Sequence, residues 1–293
     1  MQKITSRFRL SSSAFERADE ENKSEPKKMV ILSVEGDETE RTYFQHLNEH
    51  LDNTMIQIEV LRHRRGDGYS DPTQVIELLD EYMNVRQGEL IPNELVQSFA
   101  EKYTYEVVQA YLAGEDELTD EERKNFKEEL LKIGIDLEYR QYLLNFNKDT
   151  DYFAVVLDRD YGNHSRKLMQ ECIENCRKSN YGCFVSNPCF EFWLLLHLCD
   201  VKSEFSDDDL EALRLNHPIS NRHTRVSLEV SKRAHHNKTI SEKKFEEYYF
   251  TQIPQAIVNA GQFVTEFPQL LDNLGTNLPK LFDELNYTER RLQ

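Results

Sequence analysis

An apolar run that ends in two closely spaced carboxylates constrains this chain more than any other stretch. Residues 152–157 are apolar or aromatic, and Asp158 and Asp160 follow. Side chains alternate along a strand, so both acids would leave the same face if the extended backbone continued through Arg159. Two such carboxylates can hold a hard cation such as Mg²⁺, as in many phosphoryl-transfer centres. Alternatively, both acids are solvated loop residues that cap the next helix.

A second acidic cluster follows an apolar run near the beginning of the chain. Residues 30–34 lead into Glu35 and Gly36, and Glu40 lies shortly after them. Glycine permits a backbone turn with positive φ at the end of the strand. In a parallel sheet, the carboxyl ends of the strands line the crevice where ligands bind. Glu35 and the aspartate pair are therefore expected to meet.

The periodicity of the chain predicts an α/β core with helical additions. Helical segments alternate with strand-like runs at 29–34, 56–60, 152–157 and 182–185. The predicted organisation is a flexible N-terminal arm (1–28), a core (29–87 and 148–200), a helical insertion (88–147) and a mainly helical C-terminal region (201–293).

Two additional regions carry helix signals. In the insertion, Thr119 and Glu122 have the spacing of a capping box. In the C-terminal region, helices are expected over 245–260 and 273–285.

Composition limits the class of protein. A chain of 293 residues that is 39% hydrophobic can build a substantial core. Its formal net charge of -17 repels nucleic acid as a whole, so any nucleic-acid contact must come from a local basic patch. Five cysteines without a C-x-x-C pair argue against a disulfide framework and a zinc ribbon. Without an apolar span or a signal-peptide core, we expect a cytoplasmic protein with no membrane contact.

Two basic segments are candidates for contact with phosphates. The first contains Arg62, Arg64 and Arg65, whose guanidinium groups can grip phosphate oxygens bidentately. In the second, the candidate residues for nucleic-acid binding are Lys232, His235 and Lys238. A histidine-rich basic turn can bind phosphate or transfer a proton near neutral pH. An exposed loop without such a role is the alternative for each segment.

The stretch 186–197 contains an acid within an otherwise apolar helix. Its apolar residues surround the helix on nearly all sides, which predicts burial. A buried charge is costly unless it is paired or bound to a metal, so Glu191 should be a ligand or the partner of a basic group. His197 is more simply a hydrogen-bonded core histidine than a ligand.

Three motifs together resemble the RloB-like family, which is itself similar to Toprim-domain proteins. They are Glu-Gly-x-x-x-Glu at Glu35, Gly36 and Glu40; D-x-D at Asp158 and Asp160; and the stretch 186–197. The resemblance implies a Toprim-like parallel sheet flanked by helices. It also implies that Asp158, Asp160 and Glu35 bind Mg²⁺ or Mn²⁺, that Glu35 acts in acid/base chemistry, and that Glu40 and Glu191 are further acids of the site.

The function that the resemblance implies is a Mg²⁺-dependent nuclease acting in bacterial anti-phage defence or abortive infection. Its expected partners are nucleic acid, either DNA or RNA including tRNA, and an ATPase; a homo-oligomer is also possible. One alternative is a non-catalytic regulatory module that binds a metal or nucleotide and docks an ATPase. Another is a primase-like nucleotidyl transferase, because the same acids serve that chemistry.

Overall fold

The computed structural model describes most of the chain. The described residues are 28–36, 38–51, 56–61, 72–86, 107, 110, 118–119, 121–126, 151–236 and 238–285. The arm predicted over 1–28 lies outside them except for Lys28, as does most of the insertion predicted over 88–147.

The chain forms two compact units. One contains Met1–Arg62, Tyr69–Ile76 and Thr150–Gln293, and the other contains His63–Gly68 and Glu77–Asp149. In the second unit, residues 121–126 are helical and begin with the predicted capping box. The Glu122 carboxylate accepts from the Thr119 backbone N–H at 2.9 Å, and the Glu122 N–H donates to the Thr119 hydroxyl at 3.3 Å.

The first unit is built on a five-stranded sheet, which confirms the predicted α/β class. Its order is β2-β1-β3-β4-β5, and all neighbours are parallel except β4 and β5, which are antiparallel. The strands are β1 (Lys28–Val34), β2 (Ile56–Val60), β3 (Tyr152–Asp158), β4 (Gly182–Asn187) and β5 (Gly275–Thr276).

Helices connect the strands along the chain and form most of the described residues after β4. They are α1 (Thr39–Glu49), α2 (Pro72–Arg86), α3 (Arg166–Ser179), α4 (Phe190–Leu198), α5 (Val201–Glu204), α6 (Asp207–Leu215), α7 (Arg225–Ala234), α8 (Glu242–Tyr248), α9 (Ile253–Ala260) and α10 (Pro279–Glu284). No helix in the described ranges is long and apolar enough to cross a membrane.

Both faces of the central strands are covered. Val30 and Ile31 point to opposite faces of β1, and neither is exposed to solvent. A parallel sheet covered on both faces favours strands that are apolar along their whole length. This is why β1 and β3 read as continuous apolar runs and were recognisable in the sequence.

Helix α4 fills the centre of the core, and its histidine belongs to that core. His197 is hydrogen-bonded through Nε2 to the Tyr43 hydroxyl at 3.1 Å and through Nδ1 to the Trp193 carbonyl at 2.9 Å. Burial lowers the pKa of His197 to about 3, so the imidazole is neutral. The interpretation of His197 as a hydrogen-bonded core residue is therefore confirmed.

Two expected C-terminal helices differ from the structure. The helix expected over 245–260 is divided into α8 and α9, separated by a 3-10 turn at Phe250–Gln252. Pro254 lies in the first turn of α9, where backbone N–H groups have no partner within the helix, so the missing N–H of proline costs nothing. In the middle of a longer helix, Pro254 would remove a backbone hydrogen bond and break the helix. The helix expected over 273–285 begins only at Pro279, because Gly275–Thr276 pairs with the end of β4.

Gly275 is required by a close backbone contact. A Cβ at this position would lie 2.0 Å from the carbonyl oxygen of Val264, which cannot move without shifting the backbone. We predict that Gly275→Ala lowers the free energy of unfolding by about 2–3 kcal/mol, the range for overpacking a rigid site. Denaturant unfolding checks this, with Gly162→Ala as the control, because the nearest atom to a Cβ there is 3.4 Å away. Equal stability of the two variants would contradict the prediction.

Candidate functional site

The site begins where β1 and β3 end side by side. Val34 pairs with Val156 in the sheet, so Glu35 and Asp158 follow at the same edge. The Glu35 backbone N–H donates to the Val156 carbonyl at 3.1 Å. The Asp158 N–H in turn donates to Oε2 of Glu35 at 3.0 Å. The expected meeting of Glu35 with the first acid of the D-x-D motif is thus present.

Asp158 also joins β3 to the beginning of α4. Its Oδ1 accepts from the backbone N–H of Phe190, the first residue of the helix, at 2.8 Å. Cys189 at the N-cap makes no capping bond with its side chain. The first N–H groups of a helix need an acceptor and favour negative charge, so Asp158 supplies the cap from another element.

Asp160 lies in a different environment from Asp158. The extended backbone does not continue through Arg159, because Asp160 has a φ of 23° and begins a turn. Its carboxylate accepts from the Gly162 N–H at 3.1 Å and from Nδ2 of Asn163 at 2.7 Å. The condition for placing both acids on one face by strand alternation is therefore not met, and Asp160 stabilises its own turn.

Glu40 reaches the site from the first turn of α1 and is only 4% exposed. Its carboxylate packs directly on Gly36, where an added Cβ would lie 1.9 Å from Oε2. Gly36 does not adopt a positive φ. The glycine is therefore needed for this close approach, and the expected turn with positive φ was the wrong reason for it.

Glu191 lies in the first turn of α4 and is the fourth acid of the group. Burial raises the pKa of Asp158 well above its usual range, and the charges of Glu40, Glu35 and Glu191 raise it further. The pKa of Glu40 rises to about 7, first through burial and then through the charge of Glu191. These carboxylates repel one another, so a proton or a cation is needed to hold all four together.

The donor chemistry of this group fits a hard cation, because Mg²⁺ and Mn²⁺ prefer carboxylate oxygens. Among the described residues, however, no group of three or more His, Cys, Asp or Glu side chains has the geometry to hold a metal ion. Asp158 and Asp160 instead accept hydrogen bonds from backbone and side-chain N–H groups.

The second basic segment lies beside the acids only in part. The charge of exposed Lys238 lowers the pKa of Glu40, which places this lysine near the site. Lys232 is instead paired with Glu229 at 3.0 Å, and His235 is exposed at the C-cap of α7. The candidates of the first basic segment, Arg62, Arg64 and Arg65, lie outside the described residues.

A comparison with protein-family models gives a match that covers the strands and helices of the site. A model described as RloB-like protein matches residues 30–285. The chain belongs to the RloB-like family. This range includes all four clustered acids, so they lie in the part of the chain that the RloB-like family shares. Comparisons with curated proteins and with solved structures gave no match.

Three residues at the site were not predicted from the sequence. Arg159, the middle residue of D-x-D, is buried and donates to the carbonyl of Leu271 at 2.8 Å. His164 is buried beside Glu35, with Nε2 at 3.4 Å from Oε1. His236, within the second basic segment, is hydrogen-bonded to the hydroxyl of Tyr249. In the sequence, only the closeness of His164 to the D-x-D motif could have indicated that this histidine lies at the site.

The raised pKa of Glu40 makes a prediction about stability. Folding favours the protonated acid, so ionisation destabilises the folded state as pH rises from 4.5 to about 7, and the full loss is present above that range. We predict that Glu40→Gln stabilises the protein by about 3 kcal/mol at pH 8 and has little effect near pH 4. Urea unfolding at the two pH values measures this difference.

The control is Glu38→Gln, which changes an exposed carboxylate beside the same helix. It should have little effect at either pH. If Glu40→Gln gave the same change in unfolding free energy at both pH values, the result would contradict a raised pKa of Glu40 in the folded protein.

Proposed function

We propose that this protein is a metal-dependent nuclease that hydrolyses phosphodiester bonds in RNA, including tRNA, or in DNA. The observation that carries the proposal is the group of four carboxylates formed by Glu35, Glu40, Asp158 and Glu191. Two of these acids, Glu40 and Asp158, have a raised pKa, first through burial and then through the charges of the other acids. Clusters of this kind, at the carboxyl ends of parallel strands, suit phosphoryl chemistry.

Glu35 and Asp158 are the residues best placed to hold Mg²⁺ or Mn²⁺, since one hydrogen bond already joins them. Asp160 could join them while it accepts from Gly162 and Asn163, because each carboxylate oxygen keeps a further lone pair. When bound, such an ion neutralises charge on the scissile phosphate and lowers the pKa of water. The raised pKa values of Asp158 and Glu40 support a cation site, because a positive ion would offset both the burial of these carboxylates and the charges of the neighbouring acids.

The protein groups then have separate roles. Glu35 would take a proton from the attacking water or deliver one to the oxygen that leaves phosphorus. Glu40, with a pKa of about 7, is a second group able to exchange protons near neutral pH. Glu191 would maintain the negative charge that draws the cation into the site.

The nucleic-acid backbone would approach past Lys238, which is exposed and close enough to influence Glu40. Lys232 and His235 would extend this contact, because an otherwise acidic protein needs local cations to hold phosphates. Arg62, Arg64 and Arg65 of the first basic segment are separate candidates for phosphate contact. Membership of the RloB-like family supports a role as an effector of anti-phage defence or abortive infection, together with an ATPase partner.

The test is cleavage of end-labelled tRNA, single-stranded DNA and duplex DNA by the purified protein with Mg²⁺, Mn²⁺ or EDTA. We expect cleavage of at least one substrate with metal and none with EDTA. Asp158→Asn and Glu35→Gln should each reduce the rate at least about 100-fold, as expected when charge stabilisation at the reacting phosphate is lost.

Glu171→Gln is the matched control, because this exposed glutamate of α3 interacts only weakly with Lys167 at 3.6 Å. It should cleave at the wild-type rate. Wild-type protein that cleaves nothing, even with an ATPase partner, would contradict the nuclease proposal and favour the regulatory module. Incorporation of nucleotides in place of cleavage would identify a nucleotidyl transferase.

A further inference from the structure

His164 is a buried histidine of the first unit with both ring nitrogens facing the ends of β1 and β3. Its Nδ1 lies 3.1 Å from the backbone carbonyl of Asp158, and its Nε2 lies 3.4 Å from Oε1 of Glu35. The side chain is only 4% exposed. Neither contact takes part in the chemistry described above, so the position of this ring needs its own explanation.

The backbone of His164 is fixed by two interactions of its turn. The buried guanidinium of Arg159 donates to the His164 carbonyl through Nη1 at 2.6 Å, and to the Leu271 carbonyl through Nε at 2.8 Å. The His164 N–H donates to the Asp160 carbonyl at 2.8 Å. The guanidinium also lies 4.1 Å from the centre of the Tyr161 ring. The imidazole is therefore carried on a rigid turn.

The donor and acceptor types at the ring decide how it acts. A backbone carbonyl can only accept a hydrogen bond, so Nδ1 is the donor to Asp158. Nε2 lies 3.4 Å from Oε1 of Glu35, and because a neutral imidazole has only one N–H, this contact needs a further proton between the ring and the carboxylate. Oε2 of the same carboxylate accepts from the Asp158 N–H at 3.0 Å. Glu35 is thus contacted at each of its two oxygens, which restricts rotation of the carboxylate.

We propose that His164 is a positioning residue, which holds the Glu35 carboxylate in the orientation used for metal binding and proton transfer. The catalytic consequence rests on the proposed function, whereas the restraint on Glu35 rests on the contacts themselves. Groups that orient a metal-binding side chain in this way typically change metal affinity by about 10–100-fold when they are removed.

Two substitutions separate the contact with Glu35 from the contact with Asp158. In His164→Gln, the side-chain amide takes the place of Nε2 and can donate a hydrogen bond to Glu35. In His164→Asn, the shorter amide takes the place of Nδ1 and can still donate to the Asp158 carbonyl. If the role of His164 were only to hold the turn, His164→Asn would be the better substitute.

Two readouts test the restraint and its consequence separately. The first is the amide NMR signal of Asp158 in metal-free protein, because this N–H donates to Glu35. The second is the affinity for Mn²⁺, measured by electron paramagnetic resonance. We expect His164→Asn to shift the Asp158 amide signal and to weaken Mn²⁺ binding by about 10–100-fold, whereas His164→Gln keeps the signal and stays within about 3-fold of wild type.

The outcomes distinguish this inference from the proposed function. An unchanged Asp158 amide signal in His164→Asn would overturn the positioning role, as would an equal loss of Mn²⁺ affinity and melting temperature in both variants. If wild-type protein bound no Mn²⁺ but only His164→Asn moved the amide signal, the restraint on Glu35 would stand and the metal-dependent function would be the part that fails.

Discussion

Repulsion among one buried and three half-buried carboxylates is the constraint on which the rest of this structure depends. Four acids from separate elements meet where β1 and β3 end and where α1 and α4 begin. Placing them together with limited access to water opposes folding unless a proton or a cation balances the charge. Burial raises the pKa of both Asp158 and Glu40, and the charges of the neighbouring acids raise it further. A fold that tolerates it must hold the acids firmly from several directions.

Backbone hydrogen bonds provide that hold. Asp158 donates its N–H to Glu35 and accepts from Phe190, so a single residue connects two strand ends with the N-terminus of α4. Gly36 leaves space for the Glu40 carboxylate. These contacts hold the mutually repelling carboxylates in defined positions, as expected of a site that binds a cation or transfers a proton.

Much of the fold, but less of the site, could be predicted from the sequence. The central strands were recognisable because burial on both faces leaves continuous apolar runs. Glu191 was recognisable as an acid inside an apolar helix. Strand alternation did not predict the position of Asp160, because this residue begins a turn. β5 and His164 depend on contacts with residues distant in sequence or across the sheet, which local periodicity does not report.

The most direct test of the account is the number of protons released when Mg²⁺ binds. Calorimetric titration at pH 7 in two buffers with different ionisation enthalpies measures it. Since Glu40 has a pKa of about 7 and that of Asp158 is raised, binding should release on the order of one proton per ion, because carboxylates must ionise to bind a metal. Glu40→Gln should release fewer. Saturable binding without proton release, or no binding at all, would contradict the account.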